Sequence, residues 1–505
     1  MSLSRGGKAI TASKSAGQLD LFAGPAEIPR GTVGGAVAGQ PVTEPRAERL
    51  PVNANAQDLP AMTMEEVASE KNLKRAWERV ASNKGAPGPD RQGIEQVRRH
   101  EGEILSALHR GLLDGSYRPG DIRRVWIPKA GGGERGLGIP NVVDRIVQQG
   151  VHQVLSPNYE PDFHPSSHGF RPGRSCHTAI TEAKEYVAAG YEWVVDLDLE
   201  RFFDTVHHDR LLALLATRIS DKRLLKLIRR MLQAKGVLPD GLVAATTEGT
   251  PQGGPLSPLL SNIVLDELDR ELAQRGHRFV RYADDCNIYV QSERAGQRVM
   301  ESVVRFIEKR LRLKVNKAKS AVARPQERHF VGFRLQRNAL TGEAEVLLSK
   351  RSKNRIDAKI RDLTPRSWGR PFAACLQGLN GYLVGWIGFF GICSPVDEVR
   401  RNLRELDAHI RRRLRAIRLR QWKRKRTIYQ QLQRLGARSV SAGKAVYGGH
   451  KSLWSLSHTN AVQSAAMPPR WFAAQGLESL EKRWQLRHEP TPPPPASGQF
   501  TLSLG

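Results

Sequence analysis

The sequence predicts a mixed α/β region followed by a strongly basic helical one. Two observations carry the division. Between residues 91 and 335 helical stretches alternate with short β-rich runs, the pattern of a mixed α/β domain. From 350 to 435 the β-rich runs cease and the chain becomes helix-prone and dense in arginine. A third observation lies inside the first region. Two acidic clusters, VVDLDLERFFD at 194–204 and RYADDCNIYV at 281–290, each fall at the end of a predicted strand. At 505 residues the chain is too long for one ordinary core, and two or three domains are expected.

Residues 1–60 are rich in Gly, Ala, Pro and Ser without a sustained period, which predicts a disordered leader. The opening MSLSRGGKAITASKSAGQ lacks the apolar stretch of a secretion signal. Helical pattern begins near Thr63, where MTMEEVASEKNLKRAWERVA has an acidic first turn and a basic last one; KGAPGPD at 84–90 ends it. In WVVDLDL the two-residue period puts Val195, Leu197 and Leu199 on one face and Asp196 and Asp198 on the other. In FVRYADDCNIYV two apolar runs flank Asp284 and Asp285, which predicts the tip of a hairpin. Between the clusters, Pro251-Gln252-Gly253-Gly254-Pro255 predicts a tight turn with little side chain to obstruct a ligand. Apolar residues at helical spacing follow from Ser257 to Leu272. Residues 440–485 form a small Trp- and His-containing unit, and TPPPPASGQFTLSLG predicts a flexible tail.

A formal net charge of +28 and a pI near 10.4 point to a polyanionic partner. A membrane surface is the weaker alternative, since no apolar run is long enough to span a bilayer. Cys176, Cys286, Cys375 and Cys393 are scattered, with no CxxC and no paired His spacing, so neither a disulfide framework nor a zinc site is expected. A reducing cytoplasmic setting follows.

Aspartates normally avoid strands, so carboxylates inside two apolar β-branched runs need a reason. Either motif alone reads equally well as a surface turn or an acidic strand edge. Should Asp198 converge with Asp284 and Asp285, the site would gather hard oxygen ligands and repel itself without divalent cations. Mg²⁺ suits a few carboxylates plus substrate phosphate oxygens, and two such ions would clamp the attacking and leaving oxygens of a phosphoryl transfer. The two clusters together, on a basic chain, point to metal-dependent nucleotidyl transfer.

The ordered motifs resemble those of bacterial group II intron-encoded reverse transcriptases, or maturases. KGAPGPDRQGI (84–94) is similar to the N-terminal extension block, VWIPKAGGGERGLGIPNVVDRIVQQ (125–149) and HGFRPGRSCHTA (168–179) to the fingers blocks. DLERFFD, PQGGPLSP and YADD resemble the palm blocks, and LRLKVNKAKS with FVGFRL (311–335) the last two. The resemblance implies a right-hand polymerase, with fingers and a ferredoxin-like palm followed by a helical thumb. The implied boundaries are 1–60 leader, 61–190 N-terminal extension and fingers, 191–345 palm, 346–435 thumb and maturase domain, 436–485 a nucleic-acid-binding segment, and 486–505 tail.

On the same basis Asp198, Asp284 and Asp285 are the implied catalytic ligands of two Mg²⁺ ions. Asp198 and Asp284 lie 86 residues apart (284 − 198), so only the fold can bring them together. Asp196 is assigned a structural role. Phe203 is implied as the steric gate against a 2′-OH, beside a packing role next to Phe202. Gln252 is implied to contact nucleotide and template, and Lys129 and Arg135 to neutralise the triphosphate. His168, Arg171 and Arg174 are candidates for template phosphates. Tyr382, Trp386, Phe389 and Phe390 in the 372–392 stretch suit a helix core better than a base platform. The 396–426 stretch predicts one helix with Leu403, Leu406, Ile410, Leu414 and Ile417 on one stripe. Its cations, among them Arg411, Arg412, Arg415, Lys423, Arg424 and Arg426, suit an RNA backbone.

The implied partners are dNTPs, an RNA template with a DNA or RNA primer, intron RNA and a DNA target, in a cytoplasmic ribonucleoprotein. No cysteine follows Cys393, so the Cys-bearing endonuclease of some family members is expected to be absent, as in the group IIC type. Two alternatives are a reverse transcriptase without splicing duty and a domesticated RNA-binding splicing factor on an inactive palm. The 372–426 stretch, which resembles the maturase domain, counts against the first, and the intact Asp198, Asp284, Asp285, Phe203 and PQGG against the second.

Overall fold

A computed structural model describes residues 59–128, 134–365, 367–449 and 452–489. The expected leader and tail therefore lie almost wholly outside the described residues. The chain divides into two compact units, with the break between Val331 and Gly332. The β-hairpin that follows the break, placed with the palm by the implied boundaries, belongs to the second unit.

The first unit opens with two helices, Met64–Ala68 and Glu70–Ser82, where one was expected. Ser69 separates them, and its hydroxyl accepts the Asn72 N–H at 3.3 Å as the cap of the second. Strands β1 (Ile122–Pro128) and β2 (Glu134–Ile139) form an antiparallel hairpin. Strand β3 (Trp193–Asp198) follows and belongs to the palm. The short β4 (Gly236–Val237) and β5 (Val243–Ala244) extend the first hairpin into a sheet of order β2-β1-β4-β5.

Strands β6 (Arg278–Tyr282), β7 (Asp285–Val290) and β8 (Ala321–Ala323) join β3 in a second sheet of order β6-β7-β3-β8, antiparallel throughout. The helix Ser257–Gln274 lies between β3 and β6 in sequence, and Glu293–Phe306 between β7 and β8. This βαββαβ order, with the first and third strands central, is the ferredoxin-like palm. The alternation expected in β3 holds: Val195, Leu197 and Leu199 are buried while Asp196 and Asp198 are half-buried. Those apolar side chains join Phe279, Ile288, Leu260, Leu268, Val303 and Ile307 in one core.

The second unit begins with the hairpin of β9 (Phe333–Arg337) and β10 (Ala344–Leu348) and continues as helices. In the helix Phe372–Phe390 the aromatic residues build packing. Phe389 and Phe390 lie 5.5 and 5.1 Å from Phe333, centroid to centroid, and Trp386 lies 4.6 Å from Phe390. The 396–426 stretch is not one helix. Asp397–Gln421 ends at Trp422, Lys423 takes a left-handed φ of 58°, and Lys425–Arg434 begins anew. The expected apolar stripe is buried, from Leu403 to Ile417.

Candidate active site

The palm register brings the acidic clusters together. Asp198, the last residue of β3, stands directly opposite Asp285, the first of β7. Asp284 precedes it in the two-residue loop that joins β6 to β7, where Tyr282 pairs with Asp285. Directly opposed residues on neighbouring strands carry their side chains to the same face, about 5 Å apart at Cβ. The fold thus supplies the convergence that an 86-residue separation (284 − 198) left open.

A buried arginine fixes the loop. Arg281 is fully buried, and its Nε and Nη2 donate to Asp269 at 2.7 and 2.5 Å. Nη1 donates to the Ala283 carbonyl at 2.9 Å and to Asn262 Oδ1 at 3.1 Å, and Nη2 also reaches Ser167 Oγ at 2.7 Å. Ala283 is held at φ 57°, a left-handed conformation that non-glycine residues adopt at a cost. Gly169 backs it so closely that a Cβ there would fall 2.2 Å from the Ala283 nitrogen. The HGFRPG segment is therefore a buttress. His168 donates its backbone N–H to the Arg281 carbonyl at 2.9 Å, and its ring lies between Thr178 and Glu182 at 2.8 and 2.7 Å.

Burial raises the Asp284 carboxyl above its ordinary range, and the nearby Asp198 charge pushes the same way. Backbone hydrogen bonding, Arg135 and Arg281 pull it back down. Asp198 is bounded by the 314–320 loop: its N–H donates to Ser320 Oγ at 3.0 Å, and Lys319 Nζ lies 3.4 Å from its Oδ2. Asp196 pairs with Arg328 at 2.6 Å, in keeping with a structural role. Burial raises its carboxyl, while Arg328 opposes that rise.

The donors suit a hard divalent cation. The backbone places three aspartates at one strand end, and Asp284 feels a like charge that a cation would relieve. Among the described residues no three His, Cys, Asp or Glu side chains are gathered closely enough to grip an ion in this conformation, and Asp198 is turned toward Lys319.

Of the residues expected to contact nucleotide, three are described. Arg135 pairs with Ile127 across the β1–β2 hairpin, is exposed, and acts electrostatically on Asp284. Lys129 lies outside the described residues. Phe203 is half-buried, with its ring 5.4 Å from the buried Phe202, so it has both a packed edge and an open one. Its carbonyl accepts the Thr250 N–H at 2.6 Å, docking the PQGG turn. The Gln252 carbonyl accepts the Gly138 N–H at 2.8 Å, which joins that turn to β2. Gly253, at φ 129°, could not carry a Cβ: it would fall 2.6 Å from the Gly138 oxygen.

Two of the cations expected to meet RNA, Arg171 and Arg415, are buried, and others are partly covered. Arg171 is only 9% exposed; it pairs with Glu160 at 2.7 Å and donates to the His164 and Ser167 carbonyls. Arg174 is half-buried and donates to the Pro165 carbonyl. Arg415 is buried, donates to the Met467 carbonyl at 3.0 Å and lies over the Phe472 ring; burial lowers its pKa to about 10. Arg412 stands 4.0 Å from the Trp454 ring, and Arg411 is half-buried. Lys423, Arg424 and Arg426 are exposed, together with Lys425. Sequence reasoning missed Arg281, although an arginine inside the apolar run FVRY was a visible signal.

Residues 127–335 match the family described as reverse transcriptase (RNA-dependent DNA polymerase), and 353–436 match the group II intron, maturase-specific domain. Protein YkfC of Escherichia coli (strain K12) is 34% identical over 348 residues, which cover 61% of this chain and 88% of YkfC.

The chain belongs to the group II intron reverse transcriptase family.

As a member it is an RNA-directed DNA polymerase carrying a maturase-specific domain. Group II intron-encoded protein LtrA of Lactococcus lactis subsp. cremoris is 39% identical over 209 residues, 41% of this chain and 34% of LtrA. The chain thus spans nearly nine-tenths of YkfC but about a third of LtrA. A solved Cas6-RT-Cas1–Cas2 complex overlaps 48% of this chain and 42% of its own at 23% identity and a TM-score of 0.32, too slight a likeness to bear on function. Among the described residues no helix is long and apolar enough to cross a membrane.

Proposed function

We propose that this reverse transcriptase copies RNA into DNA by two-metal phosphoryl transfer at Asp198, Asp284 and Asp285. We further propose that it grips its own intron RNA to assist splicing and then copies that RNA during intron mobility. The observation that carries the first part is the β3–β7 register, which sets Asp198 against Asp285 with Asp284 at the adjoining tip. The maturase-specific match at 353–436 supports the second and disfavours a polymerase without splicing duty.

Bound Mg²⁺ ions would supply Lewis-acid activation of the primer 3′-OH and charge stabilisation at the pyrophosphate leaving group. The three carboxylates would hold the ions and orient the triphosphate between them. Arg135, with Lys129 shortly before it in sequence, would neutralise the phosphates from the β1–β2 hairpin. Phe203 would set its open ring edge against the sugar and crowd a 2′-OH. Gln252 would contact nucleotide and template from a turn whose glycines let the strand approach. No side chain of the chain need act as nucleophile, since positioning and charge stabilisation dominate such transfers. We assign 61–190 to the N-terminal extension and fingers, 191–331 to the palm, 332–435, which includes the hairpin of the second unit, to the thumb and maturase domain, and 436–485 to a nucleic-acid-binding segment.

The test uses the purified protein with an RNA template, a DNA primer and dNTPs, with and without Mg²⁺, beside splicing of its intron transcript at low Mg²⁺. Extension that requires Mg²⁺, and splicing that requires the protein, are expected. Absence of extension overturns the polymerase assignment; absence of protein-dependent splicing overturns the maturase one.

A further inference from the structure

The outer face of the β1–β2 hairpin carries an aromatic residue that the polymerase chemistry does not use. Trp126 is 49% exposed and stands directly opposite Gly136. Its six-membered ring fills the space a side chain at Gly136 would need: a Cβ there would fall 2.6 Å from Cζ3 and 3.1 Å from Cη2. One side of the indole is thus packed on the β2 backbone while much of the rest meets solvent. Scattered exposed apolar residues are ordinary, so exposure alone means little.

The surroundings are more specific. Residues 124, 126, 136 and 138 share this face, because directly opposed residues and alternate positions along a strand point the same way. Gly136 leaves the part of β2 beside Trp126 without a side chain, while at Gly138 the face is closed by Ile122 and Pro251, 2.9 and 3.3 Å from where a Cβ would stand. On the neighbouring β4, Gly236 lies beneath Arg124, whose Nε would be 3.0 Å from a Cβ at that position. Beyond that closed end the face offers a low floor carrying one aromatic ring and one arginine. Among the described residues no carboxylate pairs with Arg124, and no ring or cation stacks on Trp126. A chain of net charge +28 favours an anionic occupant.

The pleat separates that occupant from the groups at the carboxylates. Arg135, which acts on Asp284, is paired with Ile127 and so points to the opposite face from Trp126. Trp126 therefore points to the face opposite the one from which Arg135 acts on Asp284.

We propose that Trp126 is a stacking platform for an unpaired base of the bound intron RNA, with Arg124 meeting the adjoining phosphate. This rests on the maturase assignment above and names one point of the RNA grip within it. An indole stacks on any base without reading sequence, whereas a leucine, smaller but apolar, still lies over Gly136 and gives no aromatic face.

The experiment compares wild type, Trp126→Leu and Trp126→Phe for binding to the in vitro transcript of the intron and to a short RNA template–DNA primer duplex. 5-Iodouridine in the intron transcript then locates the stacked base by photocrosslinking. Trp126→Leu should weaken intron RNA binding about 5- to 150-fold, the weight of one stacked base. Trp126→Phe should retain most of it. Affinity for the template–primer and the melting temperature should stay unchanged, and residue 126 should crosslink to an unpaired uridine.

Equal weakening on both nucleic acids would place the ring in the polymerisation cleft and overturn the proposal. Unchanged intron affinity in Trp126→Leu would also overturn it, as would parallel loss of stability in both variants, which marks the ring as packing only. If wild type itself binds the intron transcript no better than an unrelated RNA of the same length, the maturase assignment fails first.

Discussion

Arg281 shows how much of a polymerase site can rest on one residue that never touches substrate. Its guanidinium joins helix Ser257–Gln274, Ser167 just before the HGFRPG segment and the Ala283 carbonyl, so removing it leaves Asp269 buried and uncompensated. Breaking a buried pair from one side costs about 3–5 kcal/mol, whereas replacing both partners by apolar residues can be neutral. Arg281→Met should therefore lose about that much in urea unfolding, and Arg281→Met with Asp269→Leu should recover a large part; no recovery would show that Arg281 acts through its other partners. Asp284 gives a prediction of opposite sign. Its carboxyl is raised by burial and by Asp198, so the native state holds the proton more tightly than the unfolded chain does. Stability then falls as pH rises from the unfolded to the folded value, and the charge remains a cost above both. Without divalent cations, Asp284→Asn should melt no lower than wild type at pH 8, and the two should converge below the ordinary carboxylate range. A clear drop at pH 8 would mean that the ionised group supports the fold. At this scale the acidic residues were legible because aspartate in a β-branched run is conspicuous. The partner of Arg281 was not, since Asp269 looks like any other acid in LDELDREL and only packing reveals it as buried.

At the scale of elements, the palm strands and the helix after PQGG could be read from period and turn chemistry, and β3, β6 and β7 lie where the alternation placed them. The 396–426 stretch could not. QWKRKR contains no glycine or proline, so nothing local marks Lys423 as the left-handed residue where Asp397–Gln421 gives way to Lys425–Arg434. Nor does an arginine-rich helix announce which arginines turn inward. Arg413 and Arg415 satisfy carbonyls of the second unit, while Lys423 to Arg426 face solvent. Charge reversal should therefore separate the two groups. Lys423→Glu with Arg424→Glu and Arg426→Glu should leave a folded protein whose intron RNA binding has a shallower salt dependence. The log–log slope should fall by about 0.7–0.9 for each phosphate no longer neutralised. Arg415→Glu should instead unfold the second unit, because it buries an acid against Phe472 and the Met467 carbonyl. Filter binding across a salt series, with circular dichroism melts, measures both. An unchanged slope in the triple variant would remove this turn from the RNA surface.

Across the whole molecule, a basic chain folds an acidic strand end into its palm, and its proposed chemistry depends on what those carboxylates do. Convergence of Asp198 with Asp284 and Asp285 belongs to the βαββαβ topology: β3 and β7 are neighbours in space only because the crossover through Ser257–Gln274 and the β6–β7 hairpin makes them so. The most direct measurement is primer extension on RNA by Asp284→Asn and by Asp285→Asn in saturating Mg²⁺, alongside their binding to intron RNA and their melting temperatures. Both variants should lose extension by about a hundredfold or more, since several kcal/mol of charge stabilisation goes with the ligand. Intron RNA affinity and thermal stability should stay close to wild type. Near-normal extension by either variant would contradict the metal-binding role of that carboxylate, and with it the proposed chemistry of the site.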